Sequence, residues 1–89
     1  MYRTIGNTVI EWDDGTPLIF TLRNEVGPRD GRETKTITID LTDLRSGFTE
    51  DFLLYLKEHL IERCNRAKVI SIKGEATNLK TLLALVIAL

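Results

Sequence analysis

Apolar residues recur at helical spacing through the C-terminal third of the chain. From residue 69 onward they follow one another at alternating intervals of three and four, which places them on one face of a helix: Val69, Ile72, Ala76, Leu79, Leu83 and Val86. On the opposite face we expect the polar positions Lys73, Thr77, Lys80 and Thr81. We therefore expect one face of this helix to pack in a hydrophobic core, and the opposite face to be able to bind a charged partner.

A second helical pattern precedes it, over residues 50–64. Thr49 is a good N-cap, Phe48 and Leu53 have the spacing of a hydrophobic staple, and Asn65 can end the helix. The apolar row of this helix contains Phe52, Leu53, Leu56, Leu60, Ile61 and Cys64. Glu62 and Arg66 have the spacing of an ion pair one helical turn apart.

The first half of the chain reads as β structure. Residues 8–12 and 17–22 predict two strands joined by the turn residues Asp13, Asp14 and Gly15. Residues 24–33 are rich in charge and glycine, which predicts an exposed loop. Residues 34–41 alternate polar and apolar side chains, which predicts a third strand with one buried face. The expected class is α+β, with a three-stranded antiparallel segment followed by two helices.

Residues 69–72 allow two interpretations. Val69, Ile70, Ser71 and Ile72 can form a short strand, giving a β-α-β-α order, or the first turn of the second helix. The apolar row begins at Val69 without a break, which favours the helix, whereas Gly74 costs about 1 kcal/mol inside one.

The last eight residues, 82–89, are all apolar and contain no helix-stopping residue. A helix that is apolar on every side packs inside something larger, so we expect a fragment of a longer protein whose tail is buried by self-association. The alternative is that the tail folds back onto the β segment, where Val9, Ile10, Ile37 and Ile39 offer an apolar surface.

Composition and charge narrow the class of protein. Eighty-nine residues make one domain. The single Cys64 excludes an internal disulfide, and no apolar run approaches the ~20 residues of a membrane span, so we expect a cytoplasmic protein. Residues 1–62 carry seven Lys/Arg against twelve Asp/Glu, whereas residues 63–89 carry five against one. The helical end is therefore the basic end, a plausible footprint for phosphates.

The residues of catalysis do not assemble into a pattern. His59 is the single histidine, and with Glu62 and Cys64 it matches no metal-ligand spacing. A nucleophilic Cys64 or Ser71 would need a base and an orienting third group. The sequence has no second histidine that either residue could use. We expect no catalytic residue, no metal, no cofactor and no small-molecule substrate.

Residues 48–86 resemble the core-binding, SAM-like domain of the tyrosine recombinases, the phage-integrase family. The resemblance lies in residues 52–56 on the first helix, in Ser71-Ile72, in Leu79 and in Leu82-Leu83, with Glu75 where the family commonly carries an aromatic residue. It implies a helical bundle that closes over double-stranded DNA, with catalysis in a separate C-terminal domain. Residues 1–47 would then be an N-terminal β extension, and residues 48–89 the first two helices of a truncated bundle.

Two functions follow from this sequence. In the first, the chain is a non-catalytic DNA-binding fragment of a recombinase. By the family's analogy the second helix approaches the groove, and phosphates are contacted from its polar face and from the preceding link: Arg66, Lys68, Lys73, Thr77 and Lys80. In the second, it is a small α/β protein-interaction domain, in which residues 37–41 and 69–72 are neighbouring parallel strands and the apolar tail forms a dimer.

Overall fold

The computed structural model of the protein describes residues 1–24 and 36–89. In these residues a sheet of four strands precedes two helices: β1 (Tyr2–Ile5), β2 (Thr8–Asp13), β3 (Thr16–Asn24), β4 (Thr36–Asp40), a 3-10 turn (Thr42–Leu44), α1 (Glu50–Arg63) and α2 (Val69–Ala88). The α+β class is confirmed. The predicted loop at residues 24–33 lies outside the described residues except for Asn24, which ends β3.

The sheet is an antiparallel meander in the order β1-β2-β3-β4. Three of its strands match the predicted ones to within a few residues at their ends, but β1 was not expected. β1 reaches β2 through Gly6 and Asn7, a two-residue connection in which Gly6 has a φ of 57°. Glycine adopts this left-handed conformation at little cost, and its use at the first central position of a hairpin turn is common.

The two faces of the sheet differ in character. In the register of β2 and β3, Ile10 lies opposite Leu22 and Trp12 opposite Phe20, while Glu11 lies opposite Thr21 on the other face. Ile10, Leu22 and Phe20 are buried and Glu11 is exposed. The alternation of side chains along each strand therefore directs one face toward the helices and the other away from them.

Helix α1 begins where the sequence predicts. The Thr49 hydroxyl accepts a hydrogen bond from the Phe52 amide at 3.2 Å, which satisfies one of the open amides of the first turn. Phe48, the first residue of the predicted staple, stacks on Phe52 with ring centroids 5.1 Å apart. Leu53 lies in the hydrophobic core, and Phe48 packs against it. The core face of α1 is the predicted row without Phe52, which is 38% exposed: Leu53, Leu56, Leu60, Ile61 and Cys64.

Helix α2 settles the two interpretations of residues 69–72. The chain is helical from Val69 and continues through Gly74, so a strand at these residues is wrong. Val69, Ile72 and Ala76 are buried against the sheet and α1, which accounts for the continuous apolar row at this end. The cost of Gly74 is offset by the burial of Val69, Ile72 and Ala76 on the other side of the same helix.

The C-terminal turns of α2 depart from the predicted row. Leu79, Leu83 and Ile87 pack against the core, whereas Val86 is 56% exposed. The cause is Gly47, whose missing side chain leaves room for Ile87: a Cβ at residue 47 would lie 2.8 Å from Ile87 Cδ1. One edge of the tail thus folds back onto the link before α1, and the rest stays exposed.

The sheet and the helices bury one common core. Ile10, Leu18 and Phe20 from the sheet are fully buried together with Leu60 and Ile72 from the helices. Residues 1–47 and 48–89 therefore stabilise one another through apolar burial. The division of the chain into a β extension and a core-binding domain stays a prediction.

Candidate nucleic-acid interface

The link between α1 and α2, together with the start of α2, carries three exposed basic residues. We call Arg66, Lys68 and Lys73 the basic corner. The chain leaves α1 through a hydrogen bond of 2.9 Å from the Ala67 amide to the Arg63 carbonyl. Lys68 then adopts an extended backbone, and its carbonyl accepts the amides of Ser71 and Ile72 at 3.0 and 3.1 Å. This geometry starts α2 and leaves the side chains of Arg66 and Lys68 exposed.

Lys73 and Thr77 lie one turn apart on α2 and are exposed. The Thr77 hydroxyl donates to the Lys73 carbonyl at 2.9 Å, and Thr81 repeats this pattern with the Thr77 carbonyl at 2.9 Å. A hydroxyl that donates within its own helix can only accept a hydrogen bond from a partner. Thr77 is therefore poorly suited to donate to a phosphate, whereas the Lys73 ammonium is suited to it.

Lys80 differs from the other predicted contacts. Its ammonium lies 3.2 Å from an oxygen of Asp43, a residue of the 3-10 turn, and its side chain is only 29% exposed. The expectation that Lys80 lies on the face opposite the core is wrong, because its angular position on α2 brings it to the side of the helix that meets the 3-10 turn. Within residues 1–24 and 36–89 no ion pair involves the three residues of the basic corner.

Arg63 joins the two helices at the same end. Its Nε and Nη2 donate to the Glu75 carboxylate at 2.8 to 3.2 Å, a forked contact that fixes the guanidinium. The hydrogen bond from Arg63 lowers the pKa of Glu75 below its usual value. The structure thus pairs Arg63 with Glu75, twelve residues away, and shows no pair between Glu62 and Arg66 among the described ion pairs.

These pairings determine where positive charge is displayed. Of the five basic residues in residues 63–89, Arg63 and Lys80 are each matched by a carboxylate. The other three form the basic corner. The first amides of α2 have no side-chain cap, and the positive end of the helix dipole adds to the field of these three cations.

Cys64 lies two residues before Arg66, the first residue of the basic corner. Cys64 is buried, its thiol contacts the Leu60 carbonyl at 3.7 Å, and burial raises the pKa of the thiol above its usual value. Such a thiol is a poor nucleophile at neutral pH. In the described residues no group of three His, Cys, Asp or Glu side chains is placed to hold a metal ion.

The sequence analysis did not identify Lys57, a buried cation on the core face of α1. Lys57 is only 4% exposed, and its Nζ lies 3.8 Å from the centroid of the Trp12 ring. Burial lowers the pKa of this lysine, while the face of the indole offsets part of the desolvation. Its position was readable, because Lys57 falls at helical spacing between Leu53 and Leu60 on the core face of α1.

A further ion pair ties the first strand to α1. Arg3 Nη1 and Nη2 donate to the two carboxylate oxygens of Glu58 at 2.8 and 3.0 Å. The hydrogen bond from Arg3 lowers the pKa of the Glu58 carboxyl. No local sequence signal could have found this pair, because its partners are 55 residues apart in the chain.

None of the helices in the described residues has the length and hydropathy that a membrane crossing requires. Comparison of the chain with protein-family models, with curated proteins and with solved structures finds no match.

Proposed function

We propose that the chain is a non-catalytic DNA-binding module of the tyrosine recombinase family that contacts the phosphates of double-stranded DNA through its basic corner. The observation that carries this proposal is the display of Arg66, Lys68 and Lys73 at one corner of a chain whose net charge is −1. A cluster of exposed cations on an otherwise acidic protein is the electrostatic footprint of a phosphate-binding surface.

The size of the corner limits the mode of binding. Each phosphate neutralised by a cation contributes roughly 0.9 to the slope of log K against log salt concentration. Three contacts therefore predict a slope of about −3 and weak affinity that is nearly independent of sequence. The open amides at the start of α2 favour a phosphate at the same place. Base recognition would require residues beyond the corner.

The arrangement of α1 and α2 supports the proposed relationship to the recombinase domain. Arg63 at the end of α1 contacts Glu75 near the start of α2, and Gly47 before α1 contacts Ile87 at the end of α2. The two helices thus run antiparallel, as the first two helices of a SAM-like bundle would. The resemblance of residues 52–56, Ser71-Ile72 and Leu79 to the recombinase domain supports this assignment.

The proposal is tested by a salt titration of duplex DNA binding, with fluorescence anisotropy as the readout. Lys68→Ala and Lys73→Ala are each expected to weaken binding on all sequences and to lower the magnitude of the salt slope by about one. Lys80→Ala is expected to have a smaller effect, because Asp43 already matches its charge.

Arg3→Ala is the matched control, since it removes the same unit of charge from a residue on β1 that is paired with Glu58. It is expected to leave the slope unchanged. If Lys68→Ala and Lys73→Ala bind like the parent across the titration, or if Arg3→Ala changes the slope as much as they do, the basic corner is not the DNA-binding surface.

A second candidate function is a protein-interaction domain. Its version with parallel strands at residues 37–41 and 69–72 fails, because Val69–Ala88 is helical. Its version with an apolar dimer interface is favoured by the exposed apolar residues of the α2 tail.

A further inference from the structure

Four apolar side chains form an exposed stripe on the C-terminal half of α2. Leu82 and Leu85 are each 60% exposed, Val86 is 56% exposed and Leu89 is fully exposed. We call Leu82, Leu85, Val86 and Leu89 the apolar stripe. It lies beside the row of Leu83 and Ile87, which packs on the core, so α2 has two apolar sides at this end and the protein covers one of them.

Helix α1 also carries a partly exposed aromatic side chain, Phe52. Phe52 lies eleven residues before Arg63, and Val86 lies eleven residues after Glu75, the partner of Arg63. Because the two helices are antiparallel, Phe52 and Val86 lie at about the same height along the pair. Phe52 is 38% exposed and stacks on Phe48, so its position is fixed. Phe52 therefore adds apolar surface on α1 at the level of the apolar stripe.

The spacing of the stripe points to a second copy of the chain as its occupant. The intervals between residues 82, 85, 86 and 89 are three, one and three, the same in either direction. A two-fold axis that pairs two α2 helices in antiparallel fashion places Leu82 against Leu89 of the other copy and Leu85 against Val86 of the other copy. An isologous interface needs a patch that can pair with its own copy, and the spacing of this stripe is compatible with that pairing.

Charge supports the same occupant. Residues 81–89 contain no ionisable side chain, so the two-fold arrangement brings no like charges together. A charged partner protein would find no complementary groups along the stripe.

The area decides how stable the pair is. Full burial of one leucine-sized side chain removes roughly 60–120 Å² of apolar surface from water. The stripe therefore offers on the order of 300 Å² per copy, within the range of functional patches on monomers but below the roughly 800 Å² per partner of a standard interface. We propose that the chain forms a weak, antiparallel two-fold dimer through the apolar stripe, populated at high protein concentration.

Sedimentation equilibrium over a concentration series tests the dimer directly, and Leu85→Glu is the decisive variant. It places a carboxylate next to the two-fold axis, and we expect the dimer Kd to rise at least about tenfold. Ile70→Glu is the matched control, since Ile70 is 59% exposed on the first turn of the same helix but lies outside the stripe. We expect it to dimerise like the parent. Circular dichroism of both variants checks that α2 stays folded.

Cross-linking tests the direction of pairing without a disruptive charge. A mixture of Leu82→Cys and Leu89→Cys chains is expected to give the mixed disulfide in preference to either self-disulfide, with buried Cys64 retained. A parent chain that stays monomeric at the highest concentration overturns the proposal. A dimer insensitive to Leu85→Glu, or a preference for the self-disulfides, also overturns it. DNA binding is not required for any of these outcomes.

Discussion

Gly47 offers the sharpest test of how the end of α2 is held. Replacing it with alanine places a Cβ 2.8 Å from Ile87 Cδ1 and 3.3 Å from Ile87 Cβ. Ile87 is β-branched and packs against the core, so it cannot rotate away without loss. Overpacking of this kind costs about 1–3 kcal/mol. Gly47 does not have a positive φ, so alanine also gains about 0.4–1 kcal/mol through the unfolded chain.

The expected net result for Gly47→Ala is a loss of about 1–2 kcal/mol in the free energy of unfolding. Denaturant unfolding followed by circular dichroism measures it. In an Ile87→Ala background the contacts with Cγ1 and Cδ1 are gone and only the contact with the residue-87 Cβ remains, so the same substitution is expected to be neutral or stabilising. The difference between the two backgrounds is the coupling energy between residues 47 and 87.

Gly74→Ala is the matched control. A Cβ there meets nothing within 4 Å, and the residue lies in the exposed interior of α2. Alanine is expected to stabilise the protein by about 1 kcal/mol. If Gly47→Ala stabilises as much as Gly74→Ala, the C-terminal turns of α2 are not packed against Gly47 and the account of the tail fails.

Two further predictions concern side chains that accept hydrogen bonds from nearby backbone amides. Thr49→Ala removes the hydroxyl that accepts a hydrogen bond from the Phe52 amide and is expected to cost about 1 kcal/mol in denaturant unfolding, with Thr49→Ser retaining most of the stability; equal losses for the two would refute a hydrogen-bonded cap. Asp40 accepts from the Thr42 side chain and amide, which lowers the pKa of its carboxyl. A lowered folded-state pKa adds stability that is present above the unfolded-state value of about 3.9 and lost as pH falls through the folded-state value. Asp40→Asn should therefore cost about 1 kcal/mol at neutral pH and flatten the acid limb of the stability curve, and an unchanged acid limb would contradict this.

Periodicity predicted most of the architecture. The alternation in β4, the Thr49 cap and the apolar row from Val69 to Leu83 are local patterns, and each of them was confirmed, whereas Val86 at the end of the predicted row is exposed. β1 was missed although Gly6 and Asn7 are a hairpin signal, because three of the four residues in Tyr2–Ile5 are exposed and the strand lacks a clear buried face.

The candidate site was predictable in part. The exposure of Arg66, Lys68 and Lys73 follows from their position in a polar link and on the helix beside it. The ion pair between Lys80 and Asp43 could not be predicted from the sequence. Asp43 is 37 residues away, and only the packing of α2 beside the 3-10 turn brings the two together. The register at the end of α2 was likewise unreadable, since the choice between Val86 and Ile87 depends on the space that Gly47 leaves.

The central claim is that the corner between α1 and α2 contacts DNA, and amide chemical-shift mapping tests it most directly. In a titration of the isotope-labelled protein with a short duplex at low salt, we expect the largest shifts at residues 65–73 and fast exchange, in keeping with weak phosphate contacts. The amides of β1 and β2 should remain in place. Shifts confined to the sheet, or none at residues 65–73 while anisotropy reports binding, would contradict the assignment of the basic corner.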